Sequence, residues 1–472
     1  MNTLLLAPTD VLFFRDGRPM TNSLSGHAAA WPLPHIISHA LHAALHRAEF
    51  DGVHQHRHGS VADSPGRRER KFGSLVNAGP FPVCTAEGTQ TWYFPRPLDA
   101  GLPASIQTTF LPLHPFDTTL SSLPQPLCYP VANTREADKV QPECWFSRQA
   151  FEHYIASPQV GRDADKLDPE VDFKKDEAFA KAEYTVGIGM DAETGTQDGE
   201  RIYSASYLRL RRDWCLGTLA EAQDKDFYDE KHGHDLIRAL LNGHGMEIIA
   251  GGQQRVCTAT LHATQGAVLP LPRGQRTDFA SAITPRDSQK RWLVKWVLLT
   301  PAIWPEIEPG RSNHGTERRS HPGGWLPNWI DGKNGKVLLQ IVTAEERARR
   351  RRLNYEGKGY ATDENAAAIP ARLVAAMVDK PLTITGYALP HEAAARAHGG
   401  AKSTHLAAPA GSVYYFEAES PEAATALADV LNWHGASAGT ELKNRRSTLM
   451  GEKGYGLGVC GTWDFTKAAF HS

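Results

Sequence analysis

The sequence predicts an α+β fold, and three observations carry that expectation. Residues 1–46 read strand, extended loop, helix; residues 200–261 contain segments that alternate in strand fashion; residues 412–463 read strand, helix, loop, strand. Both the two-residue period of strands and the 3.6-residue period of helices are therefore present.

NTLLLAP (2–8) is a short apolar run closed by Pro8, as a buried strand requires, and VLFFRDGRPM (11–20) is a second extended piece turned by Asp16-Gly17. In PLPHIISHALHAALHRAEF (32–50), Ile36, Ile37, Ala40, Leu41, Ala44 and Leu45 recur at helical spacing behind two prolines that favour a helix start. Residues 51–75 hold little apolar content and several Arg and His, which predicts a mobile basic loop, and 160–178 and 309–322 read the same way. ERIYSASYLRLRR (200–212) alternates as a strand, and MEIIAGGQQRVCTATL (246–261) reads as two strands about a Gly251-Gly252 turn. The stretch 265–290, rich in Pro, Gly and charge, marks a change of domain before the strand RWLVKWVLLTPAI (291–303).

Further on, GKVLLQIVT (335–343), PLTITGYA (381–388) and GSVYYFEAES (411–420) are expected strands. SPEAATALADVLNWHG (420–435) is the clearest helix: Ser420 caps, Pro421 suits the first helical position, Glu422 faces the positive end, and Ala423, Leu427, Val430 and Leu431 form the apolar stripe. The C-terminal order is then strand 412–418, helix 421–434, a loop to about 455, and strand 457–463. No internal repeat is visible.

The totals bound the function. The 472 residues carry 51 Lys+Arg against 53 Asp+Glu, a net charge of -2, so attraction to nucleic acid must come from local basic patches. Six widely spaced cysteines without a C-x-x-C pair disfavour a zinc knuckle or a disulfide framework, and no metal is expected. No run approaches the 18 or so apolar residues of a membrane span, and the short apolar opening lacks a basic leader, so a cytoplasmic, membrane-free protein is expected.

The stretch STLMGEKGYGLGVCGTW (447–463) spells G-x-G-x-x-G through Gly456, Gly458 and Gly461. A dinucleotide fold needs a helix and an acidic residue about 20 positions further on, and too few residues follow here. GGAKST (399–404) lacks the spacing of a phosphate loop. No nucleotide cofactor is expected. Two readings remain open: glycines that let an RNA backbone approach the main chain, with Lys443, Arg445, Arg446 and Lys453 neutralising phosphates, or a surface hairpin whose glycines only satisfy turn geometry.

Here the sequence resembles the RAMP superfamily of CRISPR proteins, and within it the third subunit of the type III-B Cmr effector complex. Asp10, Leu12, Phe13, Phe14, Arg15, Asp16, Arg18 and Pro19 match the family segment that follows the first strand, with Met20 in place of its aromatic. YFPRPLD (93–99), IYSASYLRL (202–210), IIAGGQQR (248–255), LLTPAIW (298–304), GGWLPNWID (323–331), PAGSVYYFE (409–417) and the glycine loop at 451–458 also match. The resemblance implies two ferredoxin-like, RRM-related domains with long insertions, here expected at 1–275 and 285–472.

It also implies a non-catalytic subunit that holds the repeat-derived 5′ tag of CRISPR RNA and joins the large polymerase-like subunit to the backbone RAMP subunit. The RNA contacts expected are Gly451, Lys453, Gly454, Gly456, Gly458, Arg445 and Arg446, with Arg15 and Arg18 as a second set. An equivalent type III-A subunit is a related reading. The sequence departs from the family where the first helix carries His42 instead of an Arg, and where Thr185 stands two residues after Glu183.

His35, His39, His42 and His46 fall along one helix stripe, which suits a metal site, a general acid/base pair, or a polar face touching phosphate. In the alternative reading, a metal-independent endoribonuclease that processes precursor CRISPR RNA, His42 is the candidate catalytic residue. His54, His56 and His58 read as solvated. The segment 345–360 sets Arg347, Arg349, Arg350, Arg351, Arg352 and Lys358 around Tyr355 and Tyr360, a pattern for phosphate binding with base stacking or for a solvated basic segment. Trp325 and Trp329 either anchor a protein interface or close the second core.

Overall fold

The structure, a computed structural model, describes residues 1–14, 24–26, 31–48, 75–100, 110–113, 122–133, 144–156, 167–190, 193–194, 196–222, 235–241, 245–263, 266–311, 317–318, 320–340, 367–388 and 400–465. The architecture is α+β, with mostly antiparallel sheets and few helices.

An eight-stranded sheet runs in the order Met246–Ile249, Val256–Ala263, Asn2–Pro8, Trp214–Glu221, Val76–Cys84, Thr91–Pro95, Trp145–Ser147 and Phe173–Lys174. The opening strand is interior, with Leu4 opposite Thr218 on one neighbour and Leu261 on the other. Its Leu4 and Leu6 join Ile37, Leu41, Ala44 and Leu45 of the first helix, Pro34–Arg47, in one apolar cluster. Pro34 occupies the start of that helix, where its missing N–H costs nothing.

A five-stranded sheet is built from Ser281–Ile283, Lys290–Leu298, Val413–Ala418 and Ala371–Met377, with Gly458–Thr462 pairing the Lys290–Leu298 strand along its other edge. The alternation of that central strand decides its packing. Val294, Trp296 and Leu298 face the helix Pro421–Leu431 through Leu427 and Leu431, while Leu293 and Val297 face a cluster shared with Phe81, Phe94 and Phe151 of the first half. One apolar cluster therefore joins strands of both sheets.

Lys295 lies on the shared face, and its ammonium is 3.2 Å from Asp99 Oδ2, with both side chains at most 1 % exposed. Tyr154 and Tyr415 donate to the same carboxylate, and the Lys295 ammonium sits 3.8 Å from the Tyr154 ring centre. Such a pair persists in a low-dielectric interior because its remaining lone pairs are satisfied.

A separate three-stranded sheet sets Gln197–Leu210 between Ala180–Met190 and the parallel Leu24–Gly26. Tyr184, Val186, Ile188 and Met190 alternate along the Ala180–Met190 strand and are 78 %, 73 %, 47 % and 59 % exposed.

Several expectations need correction. The hairpin at 246–263 turns at Gln253-Gln254, both at positive φ, rather than at Gly251-Gly252. Those glycines make room for the preceding segment: a Cβ on Gly251 would lie 2.6 Å from the Phe13 carbonyl oxygen. Within 335–343 the described residues form only isolated bridges, such as Ile330 with Val337, instead of a strand. The end of 160–178 is structured, because Asp168 caps the short helix Pro169–Asp172 and Phe173–Lys174 closes the large sheet. In 309–322, Gly310–Arg311 pairs with Glu317–Arg318. Among the described residues no cysteine pair forms a disulfide, and no described helix is long and apolar enough to cross a membrane.

Candidate nucleic-acid interface

The C-terminal helix forms as its sequence dictates: the Ser420 hydroxyl accepts from the Ala423 amide, and Pro421 follows at the first position. The chain leaves it through Asn432, passes Arg445 and Arg446, makes a short 3-10 turn at Gly451–Lys453, and enters the last strand Gly458–Thr462. The turn is bracketed by left-handed residues, Met450 at φ 58 and Gly454 at φ 91.

The glycines of this loop meet protein. A Cβ on Gly454 would stand 2.9 Å from the Asn77 carbonyl oxygen, on the Val76–Cys84 strand of the other sheet. On Gly456, at φ +78, it would stand 2.1 Å from the Ser447 amide, and on Gly458 it would meet the Trp296 indole at 2.3 Å. All three residues are buried, whereas Gly451 and Lys453 remain partly open to solvent. The Asn77 amide fixes the approach by donating to the carbonyls of Pro34 and Lys453, both at 3.3 Å.

Arg446 works inside this junction. Its Nε donates to the Val430 carbonyl near the end of the helix at 2.5 Å, its amide donates to Gly456, and its carbonyl accepts from the Trp304 indole. A guanidinium there satisfies a helix-end carbonyl and favours the negative end of the dipole. Arg445 is half-buried, and its Nε has no hydrogen-bond partner among the described residues. Burial lowers its pKa against the opposing pull of Glu221 and Glu452.

The histidine stripe reaches the same turn. His35 Nδ1 is 2.7 Å from the Tyr455 hydroxyl, and Lys453 Nζ lies 3.3 Å from His39 Nε2. Burial, then Lys453 and Lys402, lower the His35 pKa to about 4. His39 keeps an exposed edge, yet desolvation of its ring followed by the Lys453 ammonium lowers it to about 3. Both imidazoles are therefore neutral near pH 7. His42 is half-buried further along the helix. Among the described residues no group of His, Cys, Asp or Glu has the placement to hold a metal ion.

The structure thus brings Gly451, Lys453, Gly454, Gly456, Gly458, Arg445 and Arg446 into one junction, beside His35 and His39. Arg15 and Arg18, His54, His56 and His58, and the Arg-rich 345–360 segment lie outside the described residues, as does the side chain of His46. Trp325 and Trp329 pack against the second core, and Trp329 stacks 6.1 Å from Phe416. Glu183 pairs with Arg209, which also holds Asp10 at 2.8 Å.

Sequence reasoning missed two features. Lys402 lies in GGAKST, whose spacing does not fit a phosphate loop, yet its ammonium acts on both His35 and His39. The exposed apolar stripe was readable as Tyr-x-Val-x-Ile-x-Met at 184–190, a period of two with nothing to say which face would be covered.

A family model described as CRISPR-associated protein (Cas_Cmr3) matches residues 4–463. Among solved structures, a chain from "Cryo-EM structure of the Type III-B Cmr-beta bound to cognate target RNA and AMPPnP, state 1" is 13% identical at a TM-score of 0.37, covering 88% of this chain and 86% of that one. A chain from "Crystal structure of Csm3-Csm4 subcomplex in the type III-A CRISPR-Cas interference complex" is 9% identical at a TM-score of 0.33, covering 88% and 92%. No curated protein matches.

Proposed function

The chain belongs to the CRISPR-associated family Cas_Cmr3, and from that premise we propose that it is a non-catalytic RNA-holding subunit of a type III-B interference complex. It holds the 5′ repeat-derived tag of CRISPR RNA and bridges the large polymerase-like subunit to the backbone RAMP subunit in the cytoplasm. The observation that carries the reading is the family match over 4–463, nearly the whole chain.

Three physical features support it. The cations at the glycine junction, Lys453 and Lys402 among them, give the salt-dependent attraction that phosphates need in a chain with no net basic field. The uncovered stripe Tyr184, Val186, Ile188 and Met190 is a surface that assembly with a partner would cover. The two large sheets, one drawn from each half, support the two ferredoxin-like units of the same reading.

Within the proposed RNA set, Gly451 and Lys453 offer direct contact, Gly454, Gly456 and Gly458 shape the loop, and Arg445 and Arg446 steady it while adding charge; Arg15 and Arg18 remain a second proposed set. The test mixes the full chain, alone and with the polymerase-like subunit, with labelled repeat-spacer RNA at low and high salt without divalent metal. Tag-dependent binding that weakens with salt and leaves the RNA intact is expected. Site-specific cuts that disappear in His42→Ala would overturn it in favour of a processing nuclease.

A further inference from the structure

The first helix and the Gly451–Lys453 turn meet at a cluster with an unusual balance of groups. His35 and His39 rings lie 5.7 Å apart edge to face, His35 is held by Tyr455, and Lys453 reaches His39. Lys402, exposed on a segment pinned by its amide to the Gly386 carbonyl, adds a second ammonium. His42 stands one turn further along. The carboxylate on the turn, Glu452, acts on Arg445, and among the described residues the charges acting on His35 are those of Lys453 and Lys402, both cations. The first turn of the helix, whose N–H groups favour anions, carries no acidic residue.

The geometry points to a phosphate subsite in which Lys453, Lys402 and His39 grip the backbone of a single-stranded RNA, with His39 taking up a proton as the phosphate arrives. This rests on the RNA-holding reading above and adds its proton linkage. In the free chain His39 Nε2 accepts from the Lys453 ammonium, so the ring is neutral and carries its proton on Nδ1. When a phosphate oxygen enters, the ammonium turns to it, and Nε2 takes a proton from solvent and becomes a second donor. In the free chain desolvation of the ring, followed by repulsion from the Lys453 ammonium, keeps it neutral, and the charge of the arriving anion opposes both by favouring the imidazolium. His35, locked on Tyr455, stays neutral and sets the angle of its neighbour.

Histidine uptake of this kind has a signature that a passive basic patch lacks, because lysines are already protonated near pH 7. Titration calorimetry in two buffers of different ionisation enthalpy counts the protons taken up on binding. The full chain would be titrated with a short tag RNA and, separately, with inorganic tripolyphosphate. Proton uptake is expected with both ligands and is lost in His39→Asn, whose affinity for RNA falls roughly tenfold at about pH 6. His39→Lys should restore affinity without proton uptake.

RNA bound with the same uptake in His39→Asn would overturn the subsite and leave the RNA-holding reading intact. Tripolyphosphate binding with His39-dependent uptake, but no RNA binding, would keep the subsite and overturn that reading. Binding of neither ligand would overturn both.

Discussion

Two regions of this chain show opposite relations between sequence pattern and exposure. The glycine-rich stretch from Gly454 to Thr462 looks open, yet every residue in it is buried. The strand Ala180–Met190 reads as half apolar, yet its Tyr184, Val186, Ile188 and Met190 face outward. Absence of a side chain says only that something approaches closely; here the neighbours are Asn77, Ser447 and Trp296 of the same chain. The glycines join the two sheets, and the hairpin leaves its apolar stripe exposed.

Substitutions on the buried side of this comparison should cost the most. Lys295→Met leaves the Asp99 carboxylate in the shared core without the Lys295 counter-charge and is expected to lower stability by about 3–5 kcal/mol in denaturant unfolding. A second change, Asp99→Leu, should recover much of that loss; no recovery would show that the pair is not the cause. Next, Gly456→Ala should cost about 2–3 kcal/mol, since its Cβ would stand 2.1 Å from the Ser447 amide at a φ of +78. A neutral result would break the claim that the loop is packed.

The junction should also respond to pH. The folded chain favours neutral His35, with a pKa lowered from 6.5 to about 4, so the unfolded chain binds the proton more readily. Stability from this residue is complete above about pH 6.5 and falls as pH drops toward about 4. For a partly solvated ring the loss is about 1 kcal/mol, and His35→Asn should flatten that part of the profile. Smallest of all, Val186→Ser on the exposed strand should change stability by less than about 0.5 kcal/mol while weakening capture by the polymerase-like subunit. A large loss of stability there would show that the stripe is covered within the chain.

Much of the fold is legible because local and global preferences agree. Ser420 and Pro421 start the helix that the structure places at Pro421–Leu431, and the expected strands at 412–418 and 457–463 are found at Val413–Ala418 and Gly458–Thr462. The helix after Pro34 forms where its apolar spacing puts it. What escaped were features set by distant neighbours. Gln253-Gln254 turns the hairpin because Gly251-Gly252 are occupied by Phe13, and GKVLLQIVT lacks a continuous strand partner among the described residues. At the candidate site, Lys453, Arg445 and Arg446 were legible from their nearness to the glycines. The link to His35 and His39 was not, since it joins residues more than 400 positions apart, as the separation of 414 between His39 and Lys453 shows.

The most direct test of the account is hydrogen–deuterium exchange of the full chain, free and then with tag RNA and the polymerase-like subunit. The last strand Gly458–Thr462 should be protected already in the free chain, and Ala180–Met190 should gain protection only in the complex. Fast exchange at Gly458–Thr462 in the free chain, slowed on adding RNA, with Ala180–Met190 unchanged, would contradict it.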